Sequence, residues 1–249
     1  PQSQRDMGLE VRQSNLCSEI TLPTSEDRTA VCCLSSVNLE YFDEWKEDDV
    51  FISDLIMMLD NIIEHFIDNA IQTVGIRERC DTLQEFKYHV DLDKKGFTKA
   101  AYSAYRERAI GLGAMGFHSY LQRHGIPFEG MYASSFNNRA FKHIKERAEE
   151  TSTILGRNRG AAPDMDDSAR RNSHLLAIAP NASSSIICGG TSPSIEPTRA
   201  NVFTHKTLTG SYKVKNKYLE ELLEKKGINN EQTWKDIAAA EGSVKDLEE

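Results

Sequence analysis

Nothing in this chain reads as a disulfide scaffold. Its 249 residues include five cysteines, Cys17, Cys32, Cys33, Cys80 and Cys188. An odd count with no C-x-x-C pair argues against a disulfide framework and a closed zinc site, so no metal ligands are assigned. No apolar run approaches the ~20 residues that span a bilayer, and Pro1–Asp6 does not have the pattern of a secretory leader. Positive charge is also in deficit: 30 Lys and Arg face 38 Asp and Glu, for a net charge of −8. That leaves no basic footprint for nucleic acid, and an anionic ligand would have to be held by a local device. Internal repeats and low-complexity tracts are missing too. These absences together point to a cytoplasmic protein in a reducing setting, with no membrane and no nucleic-acid partner.

The residues that are present describe a globular chain, 39% hydrophobic and 27% charged. Ala30–Ser35 reads as a buried strand. Asp48–Val74 carries apolar residues at helical spacing, with His65 as a packing or surface residue within it. Lys99–Ile110 and Phe117–Arg123 read as helices, the second stopped by Gly125-Ile126-Pro127. Phe136–Leu155 is another helix, ended by Gly156, and 157–172 reads as a loop rich in Arg, Asp and Gly. His174–Ala179 is a short buried strand before Pro180. Lys215–Lys226 and Thr233–Ala240 are helical, and Glu241–Glu249 is a charged end expected to fray. Helices alternating with short buried strands predict an α/β fold with parallel pairing.

Four places could carry chemistry. In Ser14-Asn15-Leu16-Cys17-Ser18-Glu19-Ile20, an extended backbone would turn Asn15, Cys17 and Glu19 to one side, with Leu16 and Ile20 anchored in apolar packing on the other. A thiol between an amide and a potential base suits hydrogen or proton transfer, although a half-buried strand with a polar wet face has the same pattern. Gly111-Leu112-Gly113-Ala114-Met115-Gly116 matches G-x-G-x-x-G, but that fingerprint needs a preceding strand. The residues before it are helix-like, so close backbone packing at a break between helical segments is the better reading, and a dinucleotide-dependent dehydrogenase is disfavoured. Pro180-Asn181-Ala182-Ser183-Ser184-Ser185 follows a buried strand and could open a helix whose N–H groups hold an anion, or be an ordinary cap. Cys32 adjoins Cys33 on the first strand. Both could be core residues, and only one of the two can face a given side.

Taken together, these motifs resemble the large, catalytic subunit of class I ribonucleotide reductase. The resemblance rests on Ser14–Ile20, Ala30–Ser36, Arg106–Phe117, Ala177–Ser185 and Ser194-Ile195-Glu196-Pro197, five motifs in family order. It implies part of a ten-stranded α/β barrel, with a loop bearing the radical cysteine threaded into its centre. Residues 1–249 would then be a portion of the barrel domain, and the extended reading of 14–20 would apply to the loop tip. Cys17 matches the transient thiyl that removes the substrate's 3′-hydrogen, Glu19 the base for the 3′-hydroxyl, and Asn15, with Ser14 beside it, the substrate-holding segment. Cys32 matches one member of the redox pair that reduces the 2′-position. Pro180, Asn181, Ala182, Ser183 and Ser184 match the segment that holds the substrate phosphates. Asn181 and Ala182 stand where many members carry hydroxyl residues, which shifts weight to backbone N–H contacts.

The resemblance also implies partners. The substrate would be a ribonucleoside diphosphate. The radical would come from a metal-containing small subunit, and the electrons from a dithiol reductant of thioredoxin or glutaredoxin type. The rest of the large subunit would be needed, as a longer chain or a separate polypeptide, and large subunits would form a dimer. The start at Pro1 without methionine suggests a boundary inside a longer protein or a split gene. The alternative is a nucleotide-binding or assembly module of a split reductase without turnover of its own.

Overall fold

The computed structural model describes residues 8–71, 80–89, 96–245 and 247. Its centre is a parallel pair, β1 (Cys33–Asn38) and β2 (Ile110–Met115), in register from Cys33↔Ile110 to Asn38↔Met115. β2 is bridged on its other edge, Leu112 to Leu176, also in parallel. The amide of Ile110 donates to the His174 carbonyl at 3.1 Å and that of Ala177 to the Leu112 carbonyl at 3.2 Å. Three successive segments are thus lateral neighbours joined by helical crossovers, the local pattern of an α/β barrel.

The first strand begins at Cys33 rather than Ala30, because the ladder starts where β2 offers its first partner, Ile110. The expected strand 174–179 reduces to the Leu112–Leu176 bridge. The largest correction is at the glycines. Residues 110–115 are the strand β2 itself, buried at every position, not a break between helices. Glycine's poor strand propensity hides this in the sequence. A Cβ on Gly111 would lie 2.8 Å from Ala177 Cβ, and one on Gly113 would collide with the Ala177 carbonyl. The expected close backbone packing is therefore present, between strands.

The crossover from β1 to β2 contains α1 (Phe42–Trp45), α2 (Phe51–Ala70), α3 (Leu83–Lys87) and α4 (Thr98–Glu107). Ile52, Ile56, Leu59, Ile63 and Ile67 form the buried stripe of α2, at the three-to-four spacing that faces a helix onto a sheet. Residues 72–74 of the longer expected helix, like Pro1–Asp6 and much of 76–97, lie outside the described residues. His65 is on the exposed face, its ring 3.0 Å from the Asn69 amide.

After β2 come α5 (Phe117–Arg123) and α6 (Met131–Arg159). The latter runs through Gly156 and ends at Gly160, whose φ of 88° stops it. Gly156 is there for contact: a Cβ would strike the Ala169 carbonyl and sit 3.0 Å from the Arg171 amide. The stretch 157–172 is accordingly not a simple loop. It holds the last turn of α6, a 3-10 segment over Pro163–Ser168 and the buried Arg171 and Asn172. Phe42, Phe117, Tyr120 and Phe136 join β1 and β2 to α6 in the main core, with Tyr120 and Phe136 stacked at 3.7 Å.

Further along are the short α7 (Ala182–Ile187), a hairpin of β3 (Val202–Thr207) and β4 (Gly210–Lys215), α8 (Lys217–Lys225) and α9 (Glu231–Ala239). The hairpin is antiparallel and lies mostly at the surface, so its sequence lacks the apolar alternation that would reveal it. Asn216 and Asn230 cap the two helices with their side chains, and Trp234, Ile237, Leu223 and Val202 form their own small core. In the charged C-terminal stretch, Gly242 accepts from the Asn201 side chain at 2.9 Å. Residues 246, 248 and 249 lie outside the described residues.

Candidate active site

The side chains of a strand alternate, so Cys32, Leu34 and Ser36 should share one face of β1 and Cys33 and Val37 the other. They do. Cys33 and Val37 pack into the core. Cys32 and Leu34 line an open cleft of about 370 Å³, together with Ser14, Asn15, Ile20 and Thr29. The ambiguity between the two adjacent cysteines is thereby resolved: Cys32 faces the cleft. It lies just before the strand and is half-buried. The glycines of β2 keep the neighbouring surface low, since a Cβ on Gly111 would sit 3.5 Å from Cys32 Sγ, and one on Gly113 3.2 Å from Ser36 Oγ.

Residues 14–20 are not extended. The Asn15 amide donates to the Ile20 carbonyl at 3.1 Å, the Ser18 amide to the Asn15 carbonyl at 3.1 Å, and the Ile20 amide to Asn15 Oδ1 at 3.0 Å. Ser18 takes a φ of 66° at the turn. Asparagine's habit of bonding nearby backbone closes the segment into a compact loop and overrides the alternation expected of a strand. Leu16 is consequently no anchor, being 99% exposed, whereas Ile20 does turn into the cleft. Cys17 is exposed at the tip of this loop. Glu19 is half-buried, with Oε2 enclosed and lacking a hydrogen-bond partner.

The electrostatics converge on Cys32. Burial, then the neighbouring Cys33, then the negative charges of Glu107 and Glu19 push its thiol up to about 12. At neutral pH it is held protonated, suited to donating a hydrogen or resting in a disulfide rather than acting as a standing nucleophile. Cys33 is also raised, by burial. Of the remaining cysteines, Cys80 is buried and Cys188 exposed.

At the other end of the same face is the Pro180–Ser185 segment. A helix does open here, at Ala182, with Asn181 in the left-handed region at φ 55°. The Asn181 side chain is spent on the scaffold: Nδ2 donates to Ala179 O at 2.8 Å, Ser36 Oγ at 3.0 Å and Ala114 O at 3.3 Å. Pro180, Ala182, Ser183 and Ser184 are exposed, and the first-turn N–H groups of a helix have no partner within it. Ser36, absent from the expected site, joins the two ends. From Cys32 to Ser36 along the strand is about 13 Å at 3.3 Å per residue. Its signal in the sequence was the period-two spacing from Cys32.

Sequence reasoning also missed Glu107, the last residue of α4, which is 1% exposed. Its Oε2 lies 3.8 Å from Arg28 Nη1, and its Oε1 has no hydrogen-bond partner. Burial, with the Asp164 charge adding and Arg28 opposing, pushes this carboxyl up to about 8. Among the described residues no cluster of His, Cys, Asp and Glu is arranged to hold a metal ion. No helix among them is long and apolar enough to cross a membrane.

Parallel strands packed closely at Gly111 and Gly113, beside a cleft lined by Cys32 and by the two ends of the Asn15–Ile20 loop, are the arrangement of an α/β-barrel segment. The family model for the ribonucleotide reductase barrel domain matches residues 2–170 and 164–249, and the chain belongs to that family. It is 45% identical over 99% of its length to the ribonucleoside-diphosphate reductase large subunit of invertebrate iridescent virus 3, covering 36% of that protein. It is 44% identical over 96% of its length to the putative large subunit of frog virus 3, covering 39% of it. Among solved structures, the class Id ribonucleotide reductase alpha subunit of Actinobacillus ureae superposes with a TM-score of 0.82 at 37% identity, over the whole of this chain and 42% of that one. The chain thus spans well under half the length of these relatives.

Proposed function

We propose that this chain supplies part of the active site of a ribonucleoside-diphosphate reductase large subunit and works by thiyl-radical chemistry. The observation that carries this reading is the meeting of Ser14, Asn15 and Ile20, the two ends of the loop that bears Cys17 and Glu19, with Cys32 in one cleft that Cys17 and Glu19 themselves do not line, with Asn181 tied to the same strand face at Ser36. A diphosphate placed on the exposed N–H groups of Ala182–Ser184 would leave the ribose near Cys32, about 13 Å along the strand. In this reading Cys17, as a thiyl, removes the 3′-hydrogen and Glu19 takes the 3′-hydroxyl proton as water leaves C2′. Asn15 holds the substrate hydroxyls. Cys32 and a partner cysteine elsewhere in the enzyme give two electrons and two protons and close into a disulfide, which an external dithiol reopens. A metal-containing small subunit would generate the radical, and the remaining large-subunit sequence would complete the barrel and its dimer.

The test is reconstitution with a polypeptide supplying the rest of the barrel, a radical-generating small subunit and a dithiol. Replacing Cys17 by Ser is expected to lower turnover at least 1000-fold while leaving nucleotide affinity within about twofold, since the serine O–H bond is far harder to break homolytically. Peptide mapping after one turnover without reductant should find Cys32, not Cys33, in a disulfide. Sustained turnover by Cys17→Ser would remove the radical assignment. An intact chain that binds nucleotides but never turns over would favour an assembly module.

A further inference from the structure

Helix α7 is held in place by almost no apolar packing. Of its six residues only Ser185 is buried, while Ile186 and Ile187 are 53% and 84% exposed. A helix this short is not stable on its own in water, so its place must come from polar ties at its ends. Both ends are tied to one strand. Side chains alternate along β1, so Ser36 and Asn38 fall on the face that carries Cys32. At the front of the helix, Ser36 Oγ accepts from Asn181 Nδ2 at 3.0 Å and donates to Asn181 Oδ1 at 3.1 Å. The Asn181 carbonyl receives the Ser185 amide at 2.9 Å, which closes the first helical turn. At the back, Thr191 Oγ1 donates to Asn38 Oδ1 at 3.3 Å, and Asn38 Nδ2 to the Cys188 carbonyl at 3.5 Å. The Thr191 amide donates to the Ser185 carbonyl at 3.1 Å, so the second tie also reaches the helix body.

We propose that Ser36 and Asn38 are positioning residues: they hang the 181–191 segment on the strand face that carries Cys32, and so fix where the substrate's phosphates sit relative to that thiol. The proposal deepens the function given above and rests on its readings of residues 180–184 and of Cys32. The strand is the ruler. Ser36 lies about 13 Å and Asn38 about 20 Å along it from Cys32, at 3.3 Å per residue. Neither side chain needs to touch the substrate, since they act through Asn181 and Thr191. When a tie is cut, the backbone N–H groups of residues 182–184 remain, so the phosphates still bind. What is lost is their register with Cys32, and a misplacement of about 1 Å can cost a factor of about 100 in rate. The signature is a fall in kcat with KM little changed.

The experiment uses the reconstituted enzyme, with kcat counted per chain that binds nucleotide, so that unfolded protein does not mimic the effect. Ser36→Ala should lower kcat about tenfold with KM within about threefold of the wild type. Ser36→Thr, which keeps the hydroxyl, should recover most of that loss. Thr191→Val, which cuts the rear tie and preserves shape, should lower kcat about threefold with KM again steady. In the full chain alone, amide hydrogen exchange over 182–191 should quicken about fivefold in Ser36→Ala and in Thr191→Val. A raised KM at unchanged kcat overturns the proposal, as does exchange that stays unchanged in both folded variants. No recovery in Ser36→Thr would assign the loss to packing and overturn the role of the Ser36 hydroxyl. If Ser36→Ala fails to fold, an unchanged kcat in Thr191→Val overturns the proposal by itself. Faster exchange in the variants of a wild type that never turns over would fault the functional reading while leaving the two ties standing.

Discussion

Asp60 and Glu107 are both almost wholly buried carboxyls, yet their surroundings drive them in opposite directions. Asp60, at 0% exposure, is held by Arg108, Arg171 and Arg159, with Asn172 donating to Oδ1 at 3.2 Å. Burial would raise its pKa, but the Arg108 and Arg171 charges and their hydrogen bonds outweigh that and hold it below the usual carboxylate range. Glu107 has a single guanidinium at 3.8 Å, shared with another carboxylate. The two environments diverge at one peptide. Arg108 follows Glu107 in the left-handed region, φ 47°, and carries its side chain to the Asp60 cluster while Glu107 stays beside Arg28. Burial alone therefore does not determine a carboxylate's charge. The number and commitment of its donors do.

The largest way to break the contrast is Asp60→Asn. Arg108 and Arg171 would keep Glu64 but lose their buried counter-ion. Removing one partner from a buried charge cluster costs roughly 3–5 kcal/mol, and urea denaturation should show a loss of that size. A loss under about 1 kcal/mol would mean that Glu64 alone neutralises the cluster. Acid should act on the same group. Its folded-state pKa lies below the unfolded one, so its contribution is present above the unfolded value and is lost as pH falls through the folded one.

Glu107 predicts the opposite sign, with a smaller amplitude. A folded carboxyl raised from 4.5 to about 8 binds its proton more tightly than the unfolded chain does. Stability from this group is fully present below pH 4.5, declines as pH rises toward 8, and is flat beyond. Glu107→Gln should remove that decline and make the variant more stable than the wild type at pH 8 by on the order of 2 kcal/mol, after discounting for rearrangement of Arg28. Parallel urea titrations at pH 5 and pH 8.5 decide it. An equal pH dependence in both proteins would place the ionisation elsewhere.

Much of the candidate face was legible because it depends on local rules. The strand parity that separates Cys32 from Cys33, the helix opening at Ala182 and the apolar stripe of α2 all follow from periodicity and turn chemistry. Most of what failed depended on partners distant in sequence, the Asn15 loop being a local exception. Gly111 and Gly113 weaken a strand by propensity, and only Leu34, Ser36 and Ala177 leaning over them make the reason visible. Asn15 could be read as one of three alternating polar residues, but its Oδ1 closes a loop onto Ile20. Glu107 carries no signal at all amid Arg106 and Arg108, since its state is set first by burial in the folded core and then by the charges of Arg28 and Asp164, both remote in sequence.

The smallest effect tests how the cluster around Asp60 is assembled. Gly156 lies inside α6, where alanine would ordinarily stabilise a helix by about 1 kcal/mol. Here the helix surface at Gly156 receives the backbone of Ala169 and Arg171, and the Arg171 amide donates to the Ser152 carbonyl at 3.0 Å. An added methyl would collide with the Ala169 carbonyl, which is backbone and cannot swing aside like a flexible side chain. The segment would have to withdraw, drawing Arg171 from Asp60. Gly156→Ala should therefore destabilise by about 1–2 kcal/mol, reversing the propensity gain. The loss should shrink in an Asp60→Asn background, because the pairing that the withdrawal disturbs is already broken. Equal losses in both backgrounds would show that Gly156 serves only the fit of the helix against 169–171. A gain in stability would show that the segment yields without cost.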